Sequence, residues 1–188
     1  MGFQKSTMFN LPNSLTLLRL LLAIIFFIFL SYHCYTISLF SFLVASLTDW
    51  LDGYLARKKG LLTDFGRLAD PFVDKIIVCG GFILLIKHGQ ENIPPWMVVV
   101  IVAREFFVSS IRSYSEARGI EFGATMWGKA KMFVQALTIS LILLFSAYLQ
   151  HVESVRNIII ALLWSTVIIT VVSGIKYMVK ASPALLER

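Results

Sequence analysis

From Leu20 to Thr48 the chain carries no Lys, Arg, Asp or Glu, an uncharged run of 29 residues. A helix crosses a bilayer with about 20 apolar residues, so the run is too long for one comfortable span. The polar cluster Ser31-Tyr32-His33-Cys34-Tyr35-Thr36 divides it. This predicts a helical hairpin, with one span near 14–32 and the next near 36–58. Met132–Val152 and Asn157–Ile175 are also uncharged, and each is long enough to cross. Ile76–Ile86 and Asn92–Ala103 are uncharged over only 11 and 12 residues. Each becomes a full span once a half that holds charges is added, over 66–89 and 94–117. The pattern therefore predicts an all-α, polytopic membrane protein with six transmembrane helices, forming one domain over 1–188. The first dozen residues, with Phe3, Met8, Phe9, Leu11 and Pro12, suit a short interfacial helix ahead of the first span.

Composition agrees with that pattern. Hydrophobic residues make up 57% of the chain and charged ones 15%, against about 45–50% and 25% in soluble domains. A single soluble domain of this size cannot hide so much apolar surface, which excludes disorder, a coiled coil and an ordinary cytosolic enzyme. The net charge of +6 would raise nucleic-acid binding in a soluble protein. In a membrane protein basic residues flank the spans instead, and no nucleic-acid partner is expected. With the N-terminus inside, Lys5, Arg57, Lys58, Lys59, Arg67, Arg118, Lys176, Lys180 and Arg188 fall on inner segments. Only Lys87 and Arg156 fall on outer loops. This places both termini in the cytosol. Cys34 and Cys79 lie far apart and form no zinc motif or disulfide framework, and packing roles are expected for them.

All five Asp of the chain lie between positions 49 and 74. Asp49 and Asp52 share one face of the second span, and Asp70 and Asp74 share one face of the third. The pairs 49 with 74 and 52 with 70 are both centred near residue 61, so an antiparallel hairpin sets the four carboxylates at matched depths near the inner surface. Charged residues inside spans are costly and mark function by default. Four carboxylates so close raise one another's pKa, and divalent cations resolve the conflict. An all-oxygen donor set suits magnesium, manganese or calcium. Four carboxylates suffice for two ions, an arrangement that clamps a phosphoryl group. The alternatives are a helix cap by Asp70 before Pro71, salt bridges to Arg57, Arg67 and Lys75, or a proton or cation path. Gly53, Ala56 and Gly66 give room for a flat ligand such as a nucleotide, or for close packing of two helices.

These residues resemble a known signature. Asp49-Trp-Leu-Asp52-Gly53-Tyr-Leu-Ala56-Arg57, followed after eight residues by Gly66, then Asp70 and Asp74 at intervals of four, is similar to the motif of the CDP-alcohol phosphatidyltransferase family. Every fixed position is filled. Asn13-Ser-Leu-Thr16-Leu-Leu-Arg19 is similar to the family's opening segment. Asp70-Pro-Phe-Val-Asp74-Lys75, Ala103-Arg104-Glu105, Ser110-Ile-Arg112 and Gly128-Lys129-Ala-Lys131 resemble its bacterial phosphatidylglycerophosphate synthase branch.

The resemblance implies transfer of a phosphatidyl group from CDP-diacylglycerol to glycerol 3-phosphate, with release of CMP. It implies that Asp49, Asp52, Asp70 and Asp74 hold two divalent ions, Mg2+ or Mn2+, and that Asp74 takes the acceptor's proton. Gly53, Ala56, Arg57 and Gly66 would form the nucleotide site. It further implies a homodimer in the bacterial inner membrane with the active site facing the cytosol. A phosphorylated acceptor needs a cationic subsite. Arg104, Arg112, Lys129, Lys131 and Lys75 are the candidates, with snorkelling to lipid heads the other reading of these side chains. Glu105 is placed to pair with a basic neighbour.

Other readings remain open on the sequence alone. One is a sister enzyme, either a cardiolipin synthase or an inositol-phosphate-using synthase. Another is a cation or proton transporter with the Asp cluster as its relay. Gly123–Lys129 imitates a phosphate-binding loop but is followed by Ala130 where a metal-binding hydroxyl belongs. His33, His88 and His151 fall near outer ends of spans, away from the acids.

Overall fold

Helices dominate because the apolar runs leave their backbone no solvent partner inside a bilayer, and an α-helix satisfies every group internally. The computed structural model describes residues 11–59, 64–88, 93–117 and 126–186, with side chains described over 14–48, 71–88, 93–115 and 126–180. Among these residues there is no strand, and six helices follow in order: α1 Leu11–Ser31, α2 Tyr35–Lys59, α3 Asp64–His88, α4 Pro95–Ala117, α5 Met126–Leu144 and α6 Glu153–Leu186. A π-helical turn, Phe145–Leu149, continues α5. Three helices are apolar and long enough to cross a membrane by themselves, over Ser14–Ser31, Met126–Leu149 and Glu153–Lys180. α2 is apolar over Tyr35–Thr48 and turns polar at the aspartates.

The first four helices begin and end within three residues of the expected spans. α5 and α6 depart from expectation. α5 starts at Met126 rather than 132, because Lys131 is buried and paired, so its charge does not mark a helix end. α6 runs over 153–186 rather than 157–175. Its basic end continues as helix while Lys176 packs over the Trp127 ring at 3.9 Å. Of the proposed interfacial helix, residues 1–10 lie outside the described residues, and Leu11 and Pro12 belong to α1. Pro12 in a first helical turn costs nothing, because no intrahelical acceptor awaits its missing N–H.

The chain divides into two compact units, residues 1–84 and 85–188. In the first, α1 and α2 form a hairpin. Its turn is a Schellman ending: Cys34 N–H donates to Phe29 O and His33 N–H to Leu30 O, with His33 at φ 58°. His33 Nδ1 also shares a hydrogen bond with the Tyr35 hydroxyl at 2.8 Å. Thr16, Arg19, Ala23, Phe26 and Leu30 form one buried row on α1, at intervals of three and four. On α2 the row Ser38, Phe42 and Ala45 is buried, and the rings of Phe26 and Phe42 lie 5.4 Å apart. Leu17, Leu21, Ile24, Ile28, Phe40 and Leu43 remain exposed. Apolar residues on both faces suit a helix that meets protein on one side and hydrocarbon on the other. Cys79 is buried as expected, whereas Cys34 is exposed in the hairpin turn.

α3 packs on α1 where Gly80 meets the Phe27 ring. A Cβ at Gly80 would lie 2.5 Å from the Phe27 ring tip. In the second unit, α4 and α5 both pack on α6. Thr138 of α5 and Thr166 of α6 share a buried hydrogen bond at 2.9 Å. Such bonds bind helices where the hydrophobic effect offers no drive between them.

Gly80→Ala is expected to lower the thermal midpoint in detergent, by the overpacking cost of about 1–3 kcal/mol. Phe27→Leu in the same background should recover part of that loss. An unchanged midpoint in Gly80→Ala would show that α3 does not depend on this contact.

Candidate active site

The helical register of the α2 row can be followed to its polar end. After Ser38, Phe42 and Ala45, intervals of four and three lead to positions 49, 52 and 56, occupied by Asp49, Asp52 and Ala56. On α3, Val73 and Ile77 are buried. Asp70 and Asp74 stand seven and three residues before Ile77, on the same side of the helix. Residues 60–63, between α2 and α3, lie outside the described residues, and the shared levels of 49 with 74 and of 52 with 70 stay an expectation from the sequence. The side chains of Asp49, Asp52, Gly53, Ala56, Arg57, Gly66 and Asp70 lie outside the described residues. Asp74 is half-buried and interacts within the chain, and Lys75 beside it is half-buried too. Four carboxylates are hard oxygen donors, the chemistry that suits a divalent cation such as magnesium or manganese.

The second unit gathers most of the basic candidates where α4 ends and α5 begins. Glu105 is 6% exposed on α4, and Lys131 is 6% exposed on α5. Lys131 Nζ lies 2.5 Å from Glu105 Oε1. Arg104 Nη1 donates to the same oxygen at 3.4 Å, and Gln135 Nε2 at 3.5 Å. One carboxylate thus gathers three donors, which is how a buried charge is tolerated. Lys131 therefore does not snorkel. Its ammonium is turned into the protein by a carboxylate one helix away.

Arg104 runs across Gly174 of α6, where an added Cβ would lie 3.2 Å from its Cγ and 3.7 Å from its Nε. Its Nε is buried and has no hydrogen-bond partner among the described residues. Arg112, two turns on, is exposed, donates through Nε to the Tyr177 hydroxyl at 3.4 Å, and stacks 5.8 Å from that ring's centre. Lys129 is exposed on α5. The structure thus brings Arg104 and Lys131 together through Glu105 and places Arg112 against α6. Lys75 belongs to the first unit.

A model of the CDP-alcohol phosphatidyltransferase family matches residues 9–172, across the aspartate motif and the basic cluster. The chain belongs to the CDP-alcohol phosphatidyltransferase family. These are membrane-bound enzymes that generally depend on a divalent metal. The chain is 36% identical to the CDP-diacylglycerol–glycerol-3-phosphate 3-phosphatidyltransferase of Bacillus subtilis, over 95% of its own length and 98% of the relative's. It is 32% identical to the enzyme of the same name from Haemophilus influenzae, over 95% and 97%. It is 34% identical to a probable phosphatidylglycerophosphate synthase of Mycobacterium tuberculosis, over 92% and 81%.

Three residues beside the basic candidates of the second unit are not singled out by sequence pattern. Gln135 and Tyr177 reach Glu105 and Arg112 from α5 and α6, and Gly174 makes room for Arg104. Arg19 is 1% exposed on α1. Arg19, by contrast, is legible in the sequence, in the opening segment Asn13–Arg19 and in the row with Thr16, Ala23 and Phe26.

Glu105→Ala strands a buried ammonium and is expected to cost about 3–5 kcal/mol of stability. The double variant Glu105→Leu with Lys131→Met should be far less damaged, because neither charge remains. Thermal unfolding in detergent checks both. Equal loss in the two proteins would mean that charge pairing is not what Glu105 provides.

Proposed function

We infer that this membrane enzyme transfers a phosphatidyl group from CDP-diacylglycerol to glycerol 3-phosphate, giving phosphatidylglycerophosphate and CMP. The observation that carries the reading is the filled aspartate motif in a chain similar, over nearly its whole length, to relatives named for this reaction. The 1–188 chain works as a single domain in this reading, as a homodimer in the bacterial inner membrane with its site toward the cytosol. The basic residues concentrated on that side support the orientation.

Asp49, Asp52, Asp70 and Asp74 are proposed to hold two divalent ions, Mg2+ or Mn2+. When bound, these would neutralise the pyrophosphate and stabilise the leaving CMP. Gly53, Ala56, Arg57 and Gly66 are proposed as the nucleotide site. Small residues along one side of α2 leave room for a flat base and ribose. The acceptor hydroxyl attacks the phosphorus nearer the lipid. A new oxygen–phosphorus bond forms, the bond to CMP breaks, and the hydroxyl proton passes to Asp74. A carboxylate is a weak base for an alcohol, so it helps mainly by accepting the proton as attack proceeds.

Arg104, Arg112, Lys129, Lys131 and Lys75 are proposed to recognise the acceptor's phosphate, and the geometry of the second unit ranks four of them. Lys131 is largely committed to Glu105, so it supplies background charge. Arg104 keeps a buried Nε–H without an acceptor among the described residues, and a phosphate oxygen would complete it. Lys129 is exposed, and Arg112, also exposed, keeps further N–H groups beyond the one it gives Tyr177, so both can meet an incoming anion.

Arg112→Ala and Lys129→Ala should each raise the KM for glycerol 3-phosphate about tenfold or more, the loss of one charge-assisted hydrogen bond. The KM for CDP-diacylglycerol should move less than about twofold, since uniform loss on both substrates would signal general damage. Steady-state kinetics in mixed micelles gives both constants. Equal shifts in the two would contradict the assignment of these residues to the acceptor.

A further inference from the structure

Both arginines of α4 meet the same helix. Arg104 lies across Gly174 of α6, and Arg112 donates through Nε to the Tyr177 hydroxyl at 3.4 Å, with its guanidinium 5.8 Å from that ring's centre. Nearer the start of both helices, the rings of Trp96 and Trp164 lie 5.7 Å apart. Residue numbers rise together through these three contacts, so α4 and α6 run in the same direction.

The spacing of the contacts is uneven. From Trp96 to Arg104 α4 advances eight residues, while α6 advances ten, from Trp164 to Gly174. From Arg104 to Arg112 α4 advances eight again, about 12 Å, while α6 advances only three, from Gly174 to Tyr177, about 4.5 Å. An even advance would set Arg112 level with residue 182. Arg112 therefore reaches back along α6 by five residues, about 7.5 Å, toward the level of Arg104. Tyr177 adds to this, since helical side chains lean toward the N-terminal end of their helix. The charges of Arg104 and Arg112 act on one another, and Tyr177 acts on Arg104 as well.

Each arginine is also held. Glu105 takes Nη1 of Arg104 at 3.4 Å, and Gly174 leaves space for its stem, where a Cβ would stand 3.2 Å from Cγ. Its buried Nε has no hydrogen-bond partner among the described residues. Tyr177 is 3% exposed, so packing fixes the phenol that Arg112 meets.

We propose that α6 draws the two arginines together into one clamp for a phosphate dianion, with Gly174 and Tyr177 as its positioning residues. This rests on the reading of Arg104 and Arg112 as part of the acceptor's phosphate subsite, and it adds the helix that shapes that subsite. A long, rotamer-rich arginine loses conformational entropy when an anion fixes it. Gly174 and Tyr177 impose part of that order beforehand, so less is lost on binding. Two guanidiniums that converge before the ligand arrives repel one another, and a dianion between them relieves the repulsion. An uncharged polyol does not, so the pair selects acceptors that carry a phosphate. Neither Gly174 nor Tyr177 is assigned to touch the substrate.

Steady-state kinetics of the full chain in mixed micelles tests this, with KM measured for each substrate. Tyr177→Leu removes hydroxyl and ring, and should raise the KM for glycerol 3-phosphate about tenfold. The KM for CDP-diacylglycerol and kcat should move less than about twofold. Tyr177→Phe keeps the buried ring and should raise the first KM about threefold. It decides alone if Tyr177→Leu does not fold. In an Arg112→Ala background neither substitution should raise that KM by more than about twofold further, because both act through Arg112. Gly174→Ala crowds Arg104, and should raise the same KM about threefold in the wild type and not in Arg104→Ala.

A role in packing alone would shift both KM values together or leave both unchanged, and either result overturns the proposal. A full, additive effect of the Tyr177 substitutions in Arg112→Ala also overturns it. So does a rise confined to the KM for CDP-diacylglycerol, which would put the lipid substrate's phosphate in the clamp. If Arg104→Ala and Arg112→Ala themselves leave the KM for glycerol 3-phosphate unchanged, the acceptor reading falls and the clamp with it. If they raise it while the Tyr177 and Gly174 variants do not, the acceptor reading stands and the positioning role alone is overturned.

Discussion

An ionised side chain within hydrocarbon must find an opposite charge or be drawn to the surface, and this constraint shapes both halves of the chain. In the second unit it is met by Glu105, which gathers Lys131, Arg104 and Gln135 from α4 and α5. α6 completes the arrangement from the other side with Gly174 and Tyr177. Without the carboxylate, two cations would share a nearly dry space. With it, Arg104, Lys131 and Glu105 together keep one net positive charge.

A division of labour follows. The first unit carries the acids and the small residues of the motif, on α2 and α3. The second carries four of the five basic candidates, of which Lys131 and Arg104 are held by a buried carboxylate instead of by lipid head groups. In the proposed reading, metal binding and anion recognition are carried by different groups of residues. Substitutions in one are expected to act on different kinetic constants from substitutions in the other.

Much of this organisation is legible in the amino-acid sequence. The uncharged runs and their polar divider locate the first hairpin to within a few residues, because hydrocarbon permits little but helix. The aspartate spacing points to the chemistry, since carboxylates three and four apart must share a helix face. The ends of α5 and α6 are not legible in this way. An apolar-run criterion treats every charge as a boundary, whereas Lys131 is neutralised by a residue 26 positions away. Gly174 and Tyr177 stay hidden for a related reason. Their roles exist only once α6 lies against α4, and local pattern says nothing of which helix faces which. Arg19 falls between these cases. Its place in an apolar row is visible, but a charge in such a row reads as an exception until its burial is known.

The most direct measurement is CMP release by the purified protein in detergent, with CDP-diacylglycerol and magnesium or manganese. Glycerol 3-phosphate, phosphatidylglycerol, inositol phosphate and no acceptor would be compared, with Asp74→Asn as control. The account predicts release with glycerol 3-phosphate alone, abolished by chelator and by the substitution. Release with a different acceptor, or release that survives loss of Asp74, would contradict it.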